Sequence, residues 1–144
     1  MALDMYFIGK KYVQDWKHNY PDKTIPELTI AKITRDLLQV PFEVTDIVVS
    51  IGIWRKANQI HNWFVANVQG GDDDCKQYRV SVEQMQELID ICKRVLADNS
   101  LIERLLPPIN GVYFGNFDDL TDTIAIMEKA LACPELEYYY YSSW

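Results

Sequence analysis

Between Thr45 and Val68, the residues Ile47, Ile51, Trp54, Asn58, His61, Val65 and Val68 follow one another at alternating spacings of four and three. At about 100° per residue, such spacings fall on one stripe of a helix, and Ile53, Ala57, Ile60 and Phe64 widen that stripe into a broad buried side. The spacing predicts one helix over 45–68, with Thr45 as N-cap, Asp46 in the first turn and Gly70-Gly71 as the stop. By the same arithmetic Trp63 points nearly opposite Trp54, toward the side that carries Lys56 and Gln59. Two polar residues, Asn58 and His61, are thereby set into an apolar face, where lack of a partner costs on the order of 1–3 kcal/mol.

The rest of the chain is organised around this segment. Leu3 to Tyr12 reads as a strand, bent or hairpinned at Gly9-Lys10-Lys11. Tyr20 to Lys23 is a turn, and the Thr- and Ile-rich stretch Leu28–Ile33 reads as a strand closed off by Pro41. Gly70 to Tyr78 is an acidic loop, and Ser81-Val-Glu-Gln84 has the capping-box pattern that opens a second helix through about Ala97, burying Met85, Leu88, Cys92 and Val95. A short turn at Leu101–Leu106 stops at Pro107-Pro108. Asn110-Gly111 turns into a short strand, Val112–Phe114. Asp118 or Asp119 caps a last helix with Leu120, Ile124, Met127 and Leu131 at helical spacing, ending at Cys133-Pro134. The aromatic end, Leu136 to Trp144, reads as a terminal strand. Strands at both termini with helices mainly between them predict an α+β fold: a single globular domain over 1–144, with about three helices packed on a small sheet formed by the N- and C-terminal strands.

Charge and composition exclude several function classes. With 14 basic against 21 acidic side chains, a net charge of −7 and a pI near 4.7, the chain has no wide phosphate-tracking surface, so duplex nucleic acid is not an expected partner. Apolar runs such as Ile47-Val48-Val49 are far short of the ~20 residues of a membrane helix, so no membrane is expected. The start carries neither a basic nor an apolar leader region, and Cys75, Cys92 and Cys133 form no CxxC pair, which points to the cytoplasm.

Four constellations carry chemistry. His61 and Asn58 are satisfied either internally, by Asp73, Asp74, a tyrosine or a backbone carbonyl, or they face a pocket beside Trp54 where His61 acts as donor or general base. In an enzyme, His61 would be that base and Asp73 or Asp74 would orient it. Trp54, Arg55, Lys56 and Trp63 either stack a base and clamp an anion, or divide into core tryptophans and a solvated charged face. The row Tyr138, Tyr139, Tyr140, Tyr141 and Trp144 cannot all be buried by one strand, because alternate side chains point to opposite faces. Either one set lines an interface or pocket, or the sheet is packed under helices on one face and partly wet on the other; an aromatic terminal strand left as an exposed edge would predict a homo-oligomer. No metal is expected: His61, Asp74 and Cys75 have no recognised ligand spacing, and Asp72-Asp73-Asp74 lacks the alternation of a calcium loop. Gly70-Gly71 lacks a phosphate-cradling context, so no cofactor is expected either.

Leu3-Asp4-Met5-Tyr6, the run Trp54-Arg-Lys-Ala-Asn-Gln-Ile-His61-Asn-Trp-Phe-Val65, Asn67-Val-Gln69 to Asp73-Asp74-Cys75, Val80-Ser81 and the terminal Tyr139-Tyr-Tyr-Ser-Ser-Trp144 together resemble a family of small proteins encoded by bacteriophages and prophages. Between Phe114-Gly115 and Asp118 the chain is shorter than the family pattern. The resemblance implies a setting, the cytoplasm of an infected host cell, and an accessory role that modifies host physiology or counters host defence. Three functions are expected from these readings. The first is capture of a small anionic, nucleotide-like ligand by Trp54, Arg55, Lys56, Asn58, His61 and Trp63. The second is inhibition of a host protein through Tyr138–Tyr141 and Trp144. The third is a small hydrolase or phosphodiesterase using His61.

Overall fold

A computed structural model describes residues 3–12, 33, 35–42, 44–107 and 117–144. The chain divides into two compact units, Met1–Gly9 with Ser50–Trp144, and Lys10–Val49. Within the second, residues 35–38 are helical, and Gln39, at φ 53°, closes the turn with its N–H on the Asp36 carbonyl at 3.3 Å. The expected turn at Tyr20–Lys23, the segment Leu28–Lys32, and the turn and strand from Asn110 to Phe114 lie outside the described residues.

Four strands, β1 (Asp4–Tyr12), β2 (Asp46–Arg55), β3 (Tyr78–Val80) and β4 (Glu137–Ser143), form one sheet in the order β2-β1-β4-β3. The helices are α1 (Asn58–Asn67), α2 (Val82–Ala97), the single turn α3 (Ile102–Leu105) that follows a 3-10 turn at Asn99–Leu101, and α4 (Phe117–Leu131). The architecture is α+β, and the two terminal strands lie side by side in the sheet. β4 is therefore an interior strand, so the expectation that it forms an exposed edge is corrected, together with the argument for oligomerisation drawn from it. β1 runs unbroken through Gly9, Lys10 and Lys11.

The largest correction concerns 45–68. Asp46–Arg55 is a strand, and the helix begins only at Asn58. Ile47, Val48, Val49, Ile51 and Ile53 make this run dense in β-branched residues, whose stiff side chains favour a pleated strand. Pairing with β1 decides in favour of the strand, and Thr45 caps nothing; its hydroxyl donates to the Asp46 carboxylate at 2.8 Å. The strand ends at Lys56, whose φ of 56° lies in the left-handed region, and whose N–H is held by the Leu3 carbonyl at 2.8 Å. Because the chain changes period there, facing angles on the two sides of Lys56 cannot be added. Gln59, Ile60, His61, Trp63 and Phe64 form the buried face of α1, so Trp63 faces the core and not the solvated side. Ile53, expected on the buried flank, is 58% exposed.

Elsewhere local rules and tertiary structure agree. Ser81 caps α2 with both arms of the capping box, its hydroxyl accepting from the Gln84 N–H at 3.1 Å and its own N–H donating to Gln84 Oε1 at 2.9 Å. Met85, Leu88, Ile89, Cys92 and Val95 are the buried stripe of that helix. Asp118 and Asp119 lie within the first turn of α4, which begins at Phe117, so neither is its cap. The buried stripe of α4 is Leu120, Thr123, Ile126, Met127 and Ala130, with Ile124 and Leu131 only partly buried. Met5, Phe7, Trp54, Val80, Tyr138 and Tyr140 from the strands join these helical residues in one core cluster.

Candidate functional site

Alternation along β4 separates its tyrosines. Tyr138 and Tyr140 enter the core, where Tyr138 lies parallel to Phe7 with centroids 5.6 Å apart and Tyr140 lies parallel to Phe64 at 3.8 Å. Tyr139 and Tyr141 are half-buried on the other face, and Tyr141 stacks on Tyr6 of β1 at 4.8 Å.

The inward half of β4 completes a polar network around His61. His61 Nδ1 lies 2.7 Å from the Tyr140 hydroxyl and Nε2 lies 3.0 Å from Asp73 Oδ2. Burial, reinforced by the Asp73 charge, pushes the Tyr140 hydroxyl far above its ordinary range, so it keeps its proton and donates. With its own hydrogen on Nε2, the imidazole then accepts from Tyr140 and donates to Asp73, and no polar atom of the three is left unpaired. The other Asp73 oxygen accepts from the Trp144 indole at 3.1 Å. One carboxylate thus ties the acidic loop to the core through His61 and to the C-terminus through Trp144.

Asp74 does not share in this. It accepts from the Lys76 N–H at 3.1 Å and the Tyr78 hydroxyl at 2.9 Å, and it pairs with the Lys76 ammonium at 3.0 Å. Hydrogen bonding from Lys76 holds the Asp74 carboxyl below its ordinary value, and the same contact raises the Lys76 ammonium. Of the internal partners expected for His61, the structure selects Asp73 and a tyrosine.

An Asp–His–hydroxyl relay invites a catalytic reading, but catalysis needs space for a reacting atom near the hydroxyl. Tyr140 is fully buried under Phe64, and His61 is 2% exposed. His61 and Tyr140 are thus packed into the core, while Asp73, at the end of the network, is partly exposed.

The six residues expected to hold an anion are not brought together. Trp54 is buried among Phe7, Phe64 and Tyr140 and donates its indole N–H to the Thr123 hydroxyl at 2.9 Å. Trp63 is buried edge-on against Phe64. Neither presents a stacking face to solvent. Arg55 is exposed and pairs with Asp4 at 3.3 Å, Lys56 is exposed, and Asn58 is half-buried. A surface hollow of about 470 Å³, floored by Val80, Met85 and Tyr138 and walled by Val82, Leu131 and Pro134, includes none of the six. Among the described residues no group of three or more His, Cys, Asp or Glu side chains is placed to hold a metal ion.

What sequence reasoning missed is that β2 joins the sheet and adds Ile53 to the face shared by Tyr139 and Tyr141. Tyr6, Ile8, Ile53, Arg79, Tyr139 and Tyr141 alternate with the core residues of their strands and lie on the opposite face of the sheet from Phe7, Trp54, Val80, Tyr138 and Tyr140; Ile8 is nonetheless buried, at 6% exposure, and Ile53 is exposed. The Arg55–Asp4 pair and the Lys56-to-Leu3 bond set the register that places Ile53 opposite Tyr6. Arg79 lies opposite Tyr139, and its guanidinium is 3.6 Å from Glu137. The β-branched density of Ile47 to Ile53 is the signal that could have revealed this strand.

Fold and site define an α+β protein whose strands carry core residues on one face and an aromatic, aliphatic stripe on the other. Comparison with protein-family models, with curated proteins and with solved structures returns no match. Among the described residues no helix is long and apolar enough to cross a membrane.

Proposed function

We propose that the chain is a protein-interaction module whose docking surface is the outer sheet face, centred on Tyr6, Tyr139 and Tyr141 and extended by Ile53. In the bacteriophage setting that the resemblance implies, host proteins are the class in which its target belongs. The observation that carries this reading is the half-buried Tyr6–Tyr141 stack together with an exposed Ile53, on the sheet face opposite the core residues Phe7, Trp54 and Tyr140. Tyrosine combines large apolar contact area with a hydrogen-bonding tip and few rotatable bonds, which suits recognition and gives no chemistry of its own at neutral pH. Two ion pairs, Arg55–Asp4 and Arg79–Glu137, edge the stripe as a polar rim.

The test is photo-crosslinking in host cells from a probe placed at Tyr139, repeated in Tyr141→Arg and Ile53→Arg backgrounds. The expected result is one specific crosslinked protein that disappears in both variants while their melting temperatures stay near that of the parent. Crosslinking that persists in both variants, or the absence of any specific crosslinked protein, overturns the reading.

A further inference from the structure

The apolar hollow of about 470 Å³ lies against a strand that has a neighbour on one side only. β3 ends the order β2-β1-β4-β3, and its three residues pair antiparallel with β4, Val80 opposite Tyr138. Among the described residues no strand lies beyond it, so one side of the Tyr78–Val80 backbone has no ladder partner. The hollow is lined by Arg79 and Val80 of this strand, by the start of α2 after the Ser81 cap, and by the end of α4. Its floor, Val80, Met85 and Tyr138, belongs to the core, while Val82 on its wall is 59% exposed. Every lining residue falls within the unit formed by Met1–Gly9 and Ser50–Trp144.

We infer that this corner is a docking site for a short extended segment of a partner protein, which adds to β3 as a fifth strand and seats one apolar side chain in the hollow. In strand addition the main chain supplies affinity, and a pocket beside the edge supplies selectivity. Cross-strand neighbours share a face, so a residue paired with Val80 continues the row Tyr138–Val80, and both of those side chains line the hollow. Charge selects what flanks that anchor. Of the three charged side chains around the hollow, Arg79 is held by Glu137 at 3.6 Å, and Glu83 enters no ion pair among the described residues. Past Val82 a second groove, of about 730 Å³, runs along α2 and sets Glu83, Glu87 and Asp90 against Arg94 alone. A segment that leaves β3 along this groove is therefore attracted when it carries lysine or arginine beyond its anchor. A three-residue strand offers few main-chain bonds, so the affinity is modest. The site shares only Arg79 and Glu137 with the outer face and does not involve the Tyr6–Tyr141 stack.

The experiment is a fluorescence-anisotropy titration of the full chain with labelled heptapeptides. Each has two lysines at either end, threonine next to them, and valine, leucine, phenylalanine or serine at the centre. The expected result is saturable binding of at least one apolar-centred peptide and at least tenfold weaker binding of the serine-centred one. Val82→Arg, which crowds the hollow from an exposed position, should weaken the apolar-centred peptide at least tenfold with an unchanged melting temperature. Glu83→Gln should weaken it severalfold, with the difference shrinking as salt is raised, and keeps the test decisive if Val82→Arg fails to fold. Alternate residues of an added strand turn their N–H groups toward the sheet, so methylating every second peptide nitrogen should abolish binding in one phase and spare it in the other. Loss with both methylation patterns, or with neither, overturns strand addition. So does the absence of saturation by every apolar-centred peptide, equal binding of the serine-centred one, or binding indifferent to both variants. A failure here leaves the crosslink from Tyr139 untouched, and loss of that crosslink leaves this site standing.

Discussion

His61 and Tyr140 satisfy each other, and each leaves a different orphan when the other is changed. Tyr140→Phe removes the donor facing Nδ1 of a buried imidazole, and His61→Leu removes the acceptor of a fully buried hydroxyl. Each single change is expected to lower the unfolding free energy by about 1–3 kcal/mol. The double variant should lose less than the sum, because it strands neither group, and urea unfolding of the four-member cycle measures the coupling. Additive losses would show that the 2.7 Å contact carries no energy. Gly52 tests packing between β2 and α4. A Cβ built there would lie 2.4 Å from the Ile126 side chain, so Gly52→Ala is expected to cost about 1–3 kcal/mol through overpacking and to be partly relieved by Ile126→Ala. Equal destabilisation with and without Ile126→Ala would contradict that close approach.

Whole elements differ in how much of them a sequence reveals. Removal of residues 138–144 deletes an interior strand with Tyr138 and Tyr140 in the core, so circular dichroism should show a chain that no longer folds cooperatively; a truncated protein that melts like the parent would contradict the sheet order. Ser81→Ala removes the capping hydroxyl and should lower stability by about 1 kcal/mol. α2 is legible because its cap, its apolar period and its burial all express local rules. The strand at Asp46–Arg55 was not, since the stripe through Ile47, Ile51 and Trp54 fits a helix as well as its β-branched density fits a strand. Pairing with β1 decides between them, and pairing is a long-range fact. The same error hid the site: reading Ile53 and Trp54 as helical put Ile53 inside and left Trp54 a choice between pocket and core, while the sheet puts Ile53 outside and Trp54 in the core. For His61, burial and the need for partners were legible from its apolar neighbours. The choice of Asp73 over Asp74 was not, because it depends on Lys76 and Tyr78 engaging Asp74.

For the molecule as a whole, buried acidic protons set the alkaline limit of stability. Burial pushes the Cys92 thiol from its ordinary 9.0 up to about 12. Burial, then the neighbouring Cys133 side chain, pushes the Tyr138 hydroxyl from 10.0 up to about 12. Both groups hold their protons longer in the folded chain than in the unfolded one, so their contribution is fully present below the ordinary values and is lost as pH rises toward 12. Unfolding free energy should fall steadily between pH 9 and 12, with a shallower slope in Cys92→Ala; a flat profile would contradict this. At the acid end Asp74 has the opposite sign, and its contribution fades as pH falls below 3.8 through its lowered folded value.

The central claim is that adjacent tyrosines of β4 serve opposite faces of the sheet, Tyr140 the core and Tyr141 the other side. Chemical unfolding of Tyr140→Ala and Tyr141→Ala, side by side, tests it most directly. The account predicts a loss of about 3–5 kcal/mol for Tyr140→Ala, as for other buried aromatic truncations, and about 1 kcal/mol or less for Tyr141→Ala. Equal losses, or the reverse order, would contradict it.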